Sequence, residues 1–101
     1  MILYSYFIYL MRVQWDEAKR QRVLAKRGID FTQLNDVLYT PYLEDQRSEL
    51  PEQYRIIGFA DEQLATFIVE YRVDKVGEYI WVVTAWKSTK QERRSYEQRV
   101  Y

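Results

Sequence analysis

The chain has 101 residues, 48% hydrophobic and 30% charged, a balance typical of one globular domain. It contains no cysteine, which excludes a disulfide framework, a thiolate metal site and a cysteine nucleophile. It contains no histidine, which argues against an imidazole metal site and a histidine general base. We therefore expect no metal and no cofactor, and any chemistry must be carried by carboxylates, Lys, Arg, Tyr, Ser or Thr.

The net charge is zero, but the charges are unevenly distributed along the chain. Residues 16–27 and 87–101 each hold five basic and two acidic residues, whereas residues 28–86 hold four basic and eleven acidic ones. Two basic ends around an acidic middle suit a polyanion on one face and a basic partner on another, although solvated helix faces would give the same pattern. The acidic middle includes a cluster that could meet a basic partner segment or simply keep the chain soluble: Glu44, Asp45, Glu49 and Glu52.

The first ten residues, MILYSYFIYL, are almost entirely apolar. A signal peptide would need a basic start and a small-residue cleavage site, and a membrane span would need about 20 apolar residues, so neither is predicted. The segment is either an extra strand or lid, or a leader that a start at Met11 would omit. The second is favoured because residues 11–15 already look like a complete first strand. The expected organisation is an apolar extension, residues 1–10, followed by a single domain, residues 11–101.

Two helices are predicted in the first half of the domain. A short strand at residues 13–15 precedes Asp16, a favourable N-cap, and helix-forming residues continue to Gly28, which can adopt the left-handed backbone that ends a helix. Asp30 opens a second helix with a capping-box pattern, and Pro41 ends it. This second helix carries one apolar stripe: Phe31, Leu34, Val37 and Leu38.

The second half is predicted to be a three-stranded antiparallel meander followed by a helix. Residues 42–53 are polar and acidic and are predicted to form a surface loop. Runs rich in β-branched and aromatic residues follow at 54–59, 64–71 and 79–86, with connections short enough for hairpins. A capping box at residues 89–92 opens the terminal helix. The predicted fold class is α+β, with two N-terminal helices and a C-terminal helix packed on an antiparallel sheet.

Strict alternation along the last strand predicts which of its side chains share a face of the sheet. One face would carry Tyr79, Trp81, Val83 and Ala85, and the other Ile80, Val82, Thr84 and Trp86. Both faces would then be substantially covered.

Two parts of the sequence resemble the BrnT family of toxins. Residues 15–19, WDEAK, and 26–31, KRGIDF, are similar to the family's opening pattern, W-D-x-x-K and then K-H-G-V/I-x-F. Residues 83–89, VTAWKST, and 92–97, ERRSYE, are similar to its closing pattern, I-S-A-R-K-A-T and then E-R-R-x-Y-E. The resemblance covers about residues 12–98, with both motifs in the family's order.

The resemblance implies a RelE-like fold and a cytoplasmic, metal-independent endoribonuclease, the toxin of a type II toxin–antitoxin system. A BrnA-like antitoxin encoded nearby would neutralise it, RNA would be the substrate, DNA would be reached only through the antitoxin, and no membrane would be involved. The sequence departs from the family where activity is at stake: Arg27 replaces the usual His, and Trp81 and Trp86 replace usual Arg residues, while Val23 replaces a common Asn. The alternative is therefore a weakened or inactive module that binds an antitoxin-like partner or RNA.

Candidate catalytic residues cluster where the last strand meets the last helix. Metal-free RNA cleavage needs a base for the 2′-hydroxyl, cations for the phosphorane charge and an acid for the leaving oxygen. Lys87, Arg93 and Arg94 are expected to contact phosphate. Glu92 is the candidate base and Tyr96 the candidate proton donor; the alternatives are a capping role for the first and packing on the sheet for the second.

Further candidates for nucleic-acid binding come from the first helix and the last strand. Lys19 and Lys26 lie about two turns apart on one helix face, next to Arg27. Trp86, together with Trp81, could stack unpaired bases. The alternatives are solvated cations and half-buried core tryptophans. The nuclease hypothesis expects the cations of both regions to converge beside the final hairpin.

Overall fold

The computed structural model describes residues 11–100, so the predicted extension of residues 1–10 lies outside the described residues, as does residue 101. The strands are β1 (Arg12–Trp15), β2 (Leu43–Glu49), β3 (Glu52–Ala60), β4 (Gln63–Val73) and β5 (Glu78–Lys87). The helices are α1 (Glu17–Arg27), α2 (Leu34–Val37) and α3 (Lys90–Val100). No helix within residues 11–100 has the length and apolar character needed to span a bilayer.

The sheet is five-stranded and mixed, in the order β1-β5-β4-β3-β2. The three strands of the predicted meander, β3 to β5, pair antiparallel as expected. β1 pairs parallel with β5, so the prediction of an antiparallel sheet is wrong at this edge. The α+β fold class is confirmed, with helices on both faces of the sheet.

Residues 42–53 are the second correction, because they form strands rather than a surface loop. Leu43–Glu49 is β2, an edge strand paired antiparallel with β3. Its sequence, LEDQRSE, is polar because only Leu43 is buried and the other side chains are partly or fully exposed. The strand is held by its ladder with β3 and by Arg55, whose Nε donates to Asp45 Oδ1 at 2.9 Å.

The predicted helix caps are present. Asp16 Oδ1 accepts from the backbone N–H of Lys19 at 3.0 Å, and Gly28 ends α1 with a left-handed φ of 74°. Asp30 and Gln33 form the expected capping box. The second helix is shorter than predicted: it is a 3-10 turn, Phe31–Gln33, followed by the single turn of α2.

Two apolar clusters lie on opposite faces of the sheet. The larger cluster joins α1, the 3-10 turn and α2 to the sheet, and includes Val23, Phe31, Leu34, Ile56, Phe67 and Ile80. The smaller cluster joins α3 to the other face and includes Leu43, Ile57, Leu64 and Tyr96. The first and last helices are therefore separated by the sheet.

A β-bulge in β5 overturns the predicted alternation. The β4–β5 register steps from Ile68 opposite Thr84 to Val69 opposite Val82, so Val83 is the extra residue. Beyond the bulge, Ala85 joins Ile80 and Val82 in the large core. Trp86 consequently lies on the same face as Trp81, the face on which α3 packs.

Candidate nucleic-acid interface

α3 covers only part of its face of the sheet, because it packs mainly against β2 and β3. The part beside it, here called the open face, carries partly or fully exposed polar and aromatic side chains. Apart from the contacts of Glu92 with Thr66 and Trp86, α3 has fewer contacts with β4 and β5 than with β2 and β3. The open face is defined by Arg47, Glu70, Arg72, Tyr79, Trp81 and Trp86.

Each of the three aromatic rings that β5 contributes to this face has a guanidinium group over it. The Arg72 Cζ atom lies 4.5 Å from the Trp81 ring centroid, and the Arg47 Cζ atom lies 5.5 Å from that of Trp86. Arg12 stands over Tyr79 at 5.1 Å. We call each of these guanidinium–ring pairs a guanidinium–aromatic layer. The arginines come from β4, β2 and β1, so each layer joins β5 to another strand of the sheet. A guanidinium over a ring face is attracted by the ring quadrupole.

Glu70 fixes the orientation of Arg72. Its Oε1 accepts from Arg72 Nη2 at 2.7 Å and from Arg72 Nε at 3.1 Å, and its Oε2 accepts from Gln53 Nε2 at 2.9 Å. Hydrogen bonds from Gln53 and Arg72 lower the pKa of Glu70, so its carboxylate stays charged at neutral pH. The Arg72 guanidinium is therefore held over Trp81, and its charge is balanced by that of Glu70.

Glu92 occupies a buried polar network between α3 and the sheet. Its Oε1 accepts from Thr66 Oγ1 and from the backbone N–H of Thr89, both at 2.9 Å, and from Trp86 Nε1 at 3.0 Å. The Thr89 bond belongs to the predicted capping box, whose reciprocal bond from Glu92 N–H to Thr89 Oγ1 is also present at 3.1 Å. Arg55 Nη1 lies 4.0 Å from Glu92 Oε2. The carboxylate thus caps α3 and anchors the Trp86 indole.

Tyr96 lies in the interface between α3 and the sheet, with 2% of its surface exposed. Its hydroxyl donates to Pro41 O at 2.9 Å. Its ring meets the Phe59 ring edge to face, with centroids 5.7 Å apart. In this arrangement the tyrosine packs and ties α3 to the segment before β2.

The remaining predicted residues divide between the two faces. Arg27 reaches β5 beyond the end of β1, where its Nη1 donates to Ala85 O at 3.0 Å and to Thr84 Oγ1 at 3.3 Å. It therefore lies at the free edge of β5, next to Thr84 and Ala85. Arg93 and Arg94 are exposed near the start of α3, whereas Lys19 and Lys26 lie on α1, across the sheet. Among Lys19, Lys26 and Arg27, Arg27 is the residue that has a hydrogen bond to β5 within the described part of the chain.

The prediction from sequence missed Arg47, Arg72 and Glu70. Arg47 fell in the segment taken as a loop, and Arg72 in the connection predicted between the last two strands. For Arg72 the sequence did contain a signal. Charged and aromatic residues still alternate through Glu70, Tyr71 and Arg72, which indicates that the strand continues. Within residues 11–100, no group of three or more His, Cys, Asp or Glu side chains is arranged to hold a metal ion.

The fold is similar to that of the ribonuclease toxin BrnT of Brucella abortus, with a TM-score of 0.64. This chain has a BrnT-like fold. The match covers 79% of this chain and 99% of that toxin, at 23% sequence identity. No family model and no curated protein matches the sequence. The BrnT-like fold agrees with the resemblance of the opening and closing motifs, and at this identity the likeness describes the fold alone.

Proposed function

We propose that the chain is the toxin of a type II toxin–antitoxin pair, a metal-independent cytoplasmic endoribonuclease neutralised by a BrnA-like antitoxin encoded nearby. The observation that carries this proposal is the BrnT-like fold, which matches 99% of the chain of a ribonuclease toxin. The opening and closing motifs support it independently of the fold, because they occur in the family's order and span most of the domain.

In the proposed reaction, the RNA backbone lies at the end of β5. Arg27 hydrogen-bonds Ala85 near that end, Lys87 is the last residue of β5, and the exposed Arg93 and Arg94 lie in the first turns of the following helix. None of these four cations has an ion pair within the described part of the chain, so their charge is available to phosphate. The 2′-hydroxyl attacks the adjacent phosphorus and the bond to the 5′-oxygen breaks, while the cations stabilise the phosphorane charge.

Glu92 and Tyr96 take positioning roles in this proposal. As a base, Glu92 would have to give up the hydrogen bonds from Thr66, Trp86 and Thr89. As a proton donor, Tyr96 would have to leave Pro41 and the apolar cluster under α3. Catalysis would then rest on orientation of the RNA and cationic stabilisation, with solvent taking the 2′-hydroxyl proton and supplying a proton to the leaving 5′-oxygen.

The direct test is expression of the chain with and without the product of the adjacent open reading frame. We expect growth arrest from the chain alone, relief on co-expression, and co-purification of the two proteins. The purified chain should cleave RNA in the presence of EDTA, since the proposed chemistry uses no metal. If a folded chain causes neither growth arrest nor RNA cleavage, the nuclease proposal is contradicted.

The cationic cluster can be tested by the double variant Lys87→Ala with Arg94→Ala. Loss of charge stabilisation should lower the rate of RNA cleavage by about 100-fold or more and abolish growth arrest. The matched control is Arg22→Ala with Lys75→Ala, two exposed cations away from the end of β5. Circular dichroism checks that both double variants are folded. Undiminished toxicity of the first double variant would move the reactive site elsewhere.

A second candidate is a BrnT-like module that binds an antitoxin-like partner or RNA without cleaving it. The observation that favours it is the structural use of both candidate acid–base groups, Glu92 and Tyr96. Arg27, at the position of the family's His, hydrogen-bonds the β5 backbone. A tight complex with the neighbouring gene product, without growth arrest or RNA cleavage, would select this candidate.

A further inference from the structure

We infer that the open face binds single-stranded RNA by stacking unpaired bases on its guanidinium–aromatic layers, with little contribution from phosphate charge. The inference rests on the proposed function, because it names the form of RNA that the same surface receives. The inference goes beyond the proposed function because it assigns the RNA-binding energy to Trp81, Trp86 and the arginines that cover them.

The layer formed by Arg72 on Trp81 is a preformed stacking platform. The guanidinium lies 4.5 Å from the ring centroid and is held by two hydrogen bonds to Glu70. Arg72 is exposed, so its guanidinium group is accessible from solvent. Unpaired bases stack on guanidinium planes as well as on aromatic rings. A base can therefore extend this layer without first ordering the side chains beneath it, which reduces the entropy cost of binding.

A second platform lies further along the same strand. The Trp86 indole N–H donates a hydrogen bond to Glu92, and the Arg47 Cζ atom lies 5.5 Å from the Trp86 ring centroid. Trp81 and Trp86 are five positions apart, about 15 Å along β5, so each would take a separate base. The bulge at Val83 is what brings both tryptophans onto one face.

The charges of the open face favour stacking over phosphate binding. Arg72 is paired with Glu70, Arg55 with Asp45, and Arg12 with Asp74. Among these arginines and Arg47, only Arg47 lacks an ion pair within residues 11–100. Few counterions would be released at the open face itself, so its contribution to the affinity should depend weakly on salt. Bases that are already paired and stacked in a duplex are not available to such platforms, which gives the preference for single strands.

The test measures binding of a fluorescent 2′-O-methyl RNA of about 12 nucleotides, a length suited to single-strand binding surfaces, by anisotropy with the full chain. The 2′-O-methyl group removes the attacking hydroxyl, so binding is measured without cleavage. The comparison probe is a duplex of the same sequence. For the wild type we expect preference for the single strand, and we expect the rise in Kd caused by Trp81→Ala to be about the same at roughly 50 and 200 mM salt.

Trp81→Ala and Arg72→Lys should each raise Kd about tenfold, the equivalent of about 1.4 kcal/mol. Arg72→Lys is the sharper variant, because it keeps the positive charge while it removes the guanidinium plane and its paired hydrogen bonds to Glu70. The matched controls are Arg22→Lys, an exposed arginine of α1, and Trp15→Phe, whose ring packs on the opposite core; both should leave Kd unchanged.

The inference is overturned if Arg72→Lys binds like the wild type, if the duplex binds equally well, or if the wild type binds neither probe. Assays of growth arrest and RNA cleavage with the same proteins distinguish failure of this inference from failure of the proposed function. Unchanged binding by the Trp81 and Arg72 variants of an active nuclease rejects the stacking platform alone. Weakened binding by these variants of a chain that cleaves no RNA supports the platform and rejects the nuclease.

Discussion

Tyr96 and Glu92 have chemically versatile side chains that this molecule uses to hold its last helix. The closing motif identified both as candidate functional residues. The capping box of Glu92 was predictable from its spacing to Thr89. The same holds for Asp16 and Asp30, whose caps are local in sequence. The contacts that decide the roles of these side chains, from Thr66, Trp86 and Pro41, depend on tertiary folding and leave no trace in local spacing.

Tyr96→Phe tests the role of the tyrosine hydroxyl. Removal of its hydrogen bond to Pro41 O should lower the free energy of unfolding by about 0.5–1.5 kcal/mol, while the ring contact with Phe59 is kept. We expect the rate of RNA cleavage to be unchanged. Urea denaturation measures the first quantity and a cleavage assay the second. A fall in rate of about 100-fold would instead assign the hydroxyl to proton transfer.

At the scale of elements, the apolar strands β3 to β5 were predictable and the polar strand β2 was not. The three former strands carry alternating or continuous β-branched and aromatic residues that are buried on at least one face. β2 is an edge strand with one buried residue, so its sequence carries a loop-like signal and its existence depends on its neighbour. The bulge in β5 is likewise a property of the pairing with β4, and it decides which face receives Trp86.

The packing of α2 on β3 can be tested at Gly58. A Cβ atom added there would lie 2.6 Å from Val37 Cγ1 and 3.2 Å from Tyr42 Cβ, so the Val37 side chain would have to shift. Gly58→Ala should therefore lower the free energy of unfolding by about 1–3 kcal/mol. Because the clash is mainly with one side chain, Gly58→Ala combined with Val37→Ala should cost less than the sum of the single variants. Additive costs in chemical denaturation would show that the two residues do not compete for space.

At the scale of the whole molecule, one exposed ion pair links the first strand to the hairpin between β4 and β5. Arg12 Nη2 donates to Asp74 Oδ1 at 2.7 Å, and Nη1 donates to Asp74 Oδ2 at 3.1 Å. Asp74 also accepts from the backbone N–H groups of Val76 and Gly77. Hydrogen bonding to Arg12 and to these two backbone groups lowers the pKa of Asp74 from its usual 3.8 to about 2.

Asp74→Asn should make the contribution of this link visible as a function of pH. A carboxyl group with a lowered pKa in the folded state stabilises the fold above its usual pKa, and this stabilisation is lost as pH falls. The variant should have a lower Tm than the wild type at pH values above about 4, and the difference should shrink to nothing toward pH 2. Thermal melts of the two proteins across this range provide the measurement. A constant difference in Tm would assign the effect to the backbone turn instead of the ionised pair.

The parallel pairing of β1 with β5 also sets the order in which this chain can mature on the ribosome. Arg12 pairs beside Tyr79, so the first strand must wait for the last. At about 5–20 residues per second, translation takes several seconds to cover that separation. Hairpins between neighbouring strands can form meanwhile, because their closure is local. A prematurely terminated copy could contain the β2–β3 and β3–β4 hairpins but would lack β5, and β1 would have no strand to pair with.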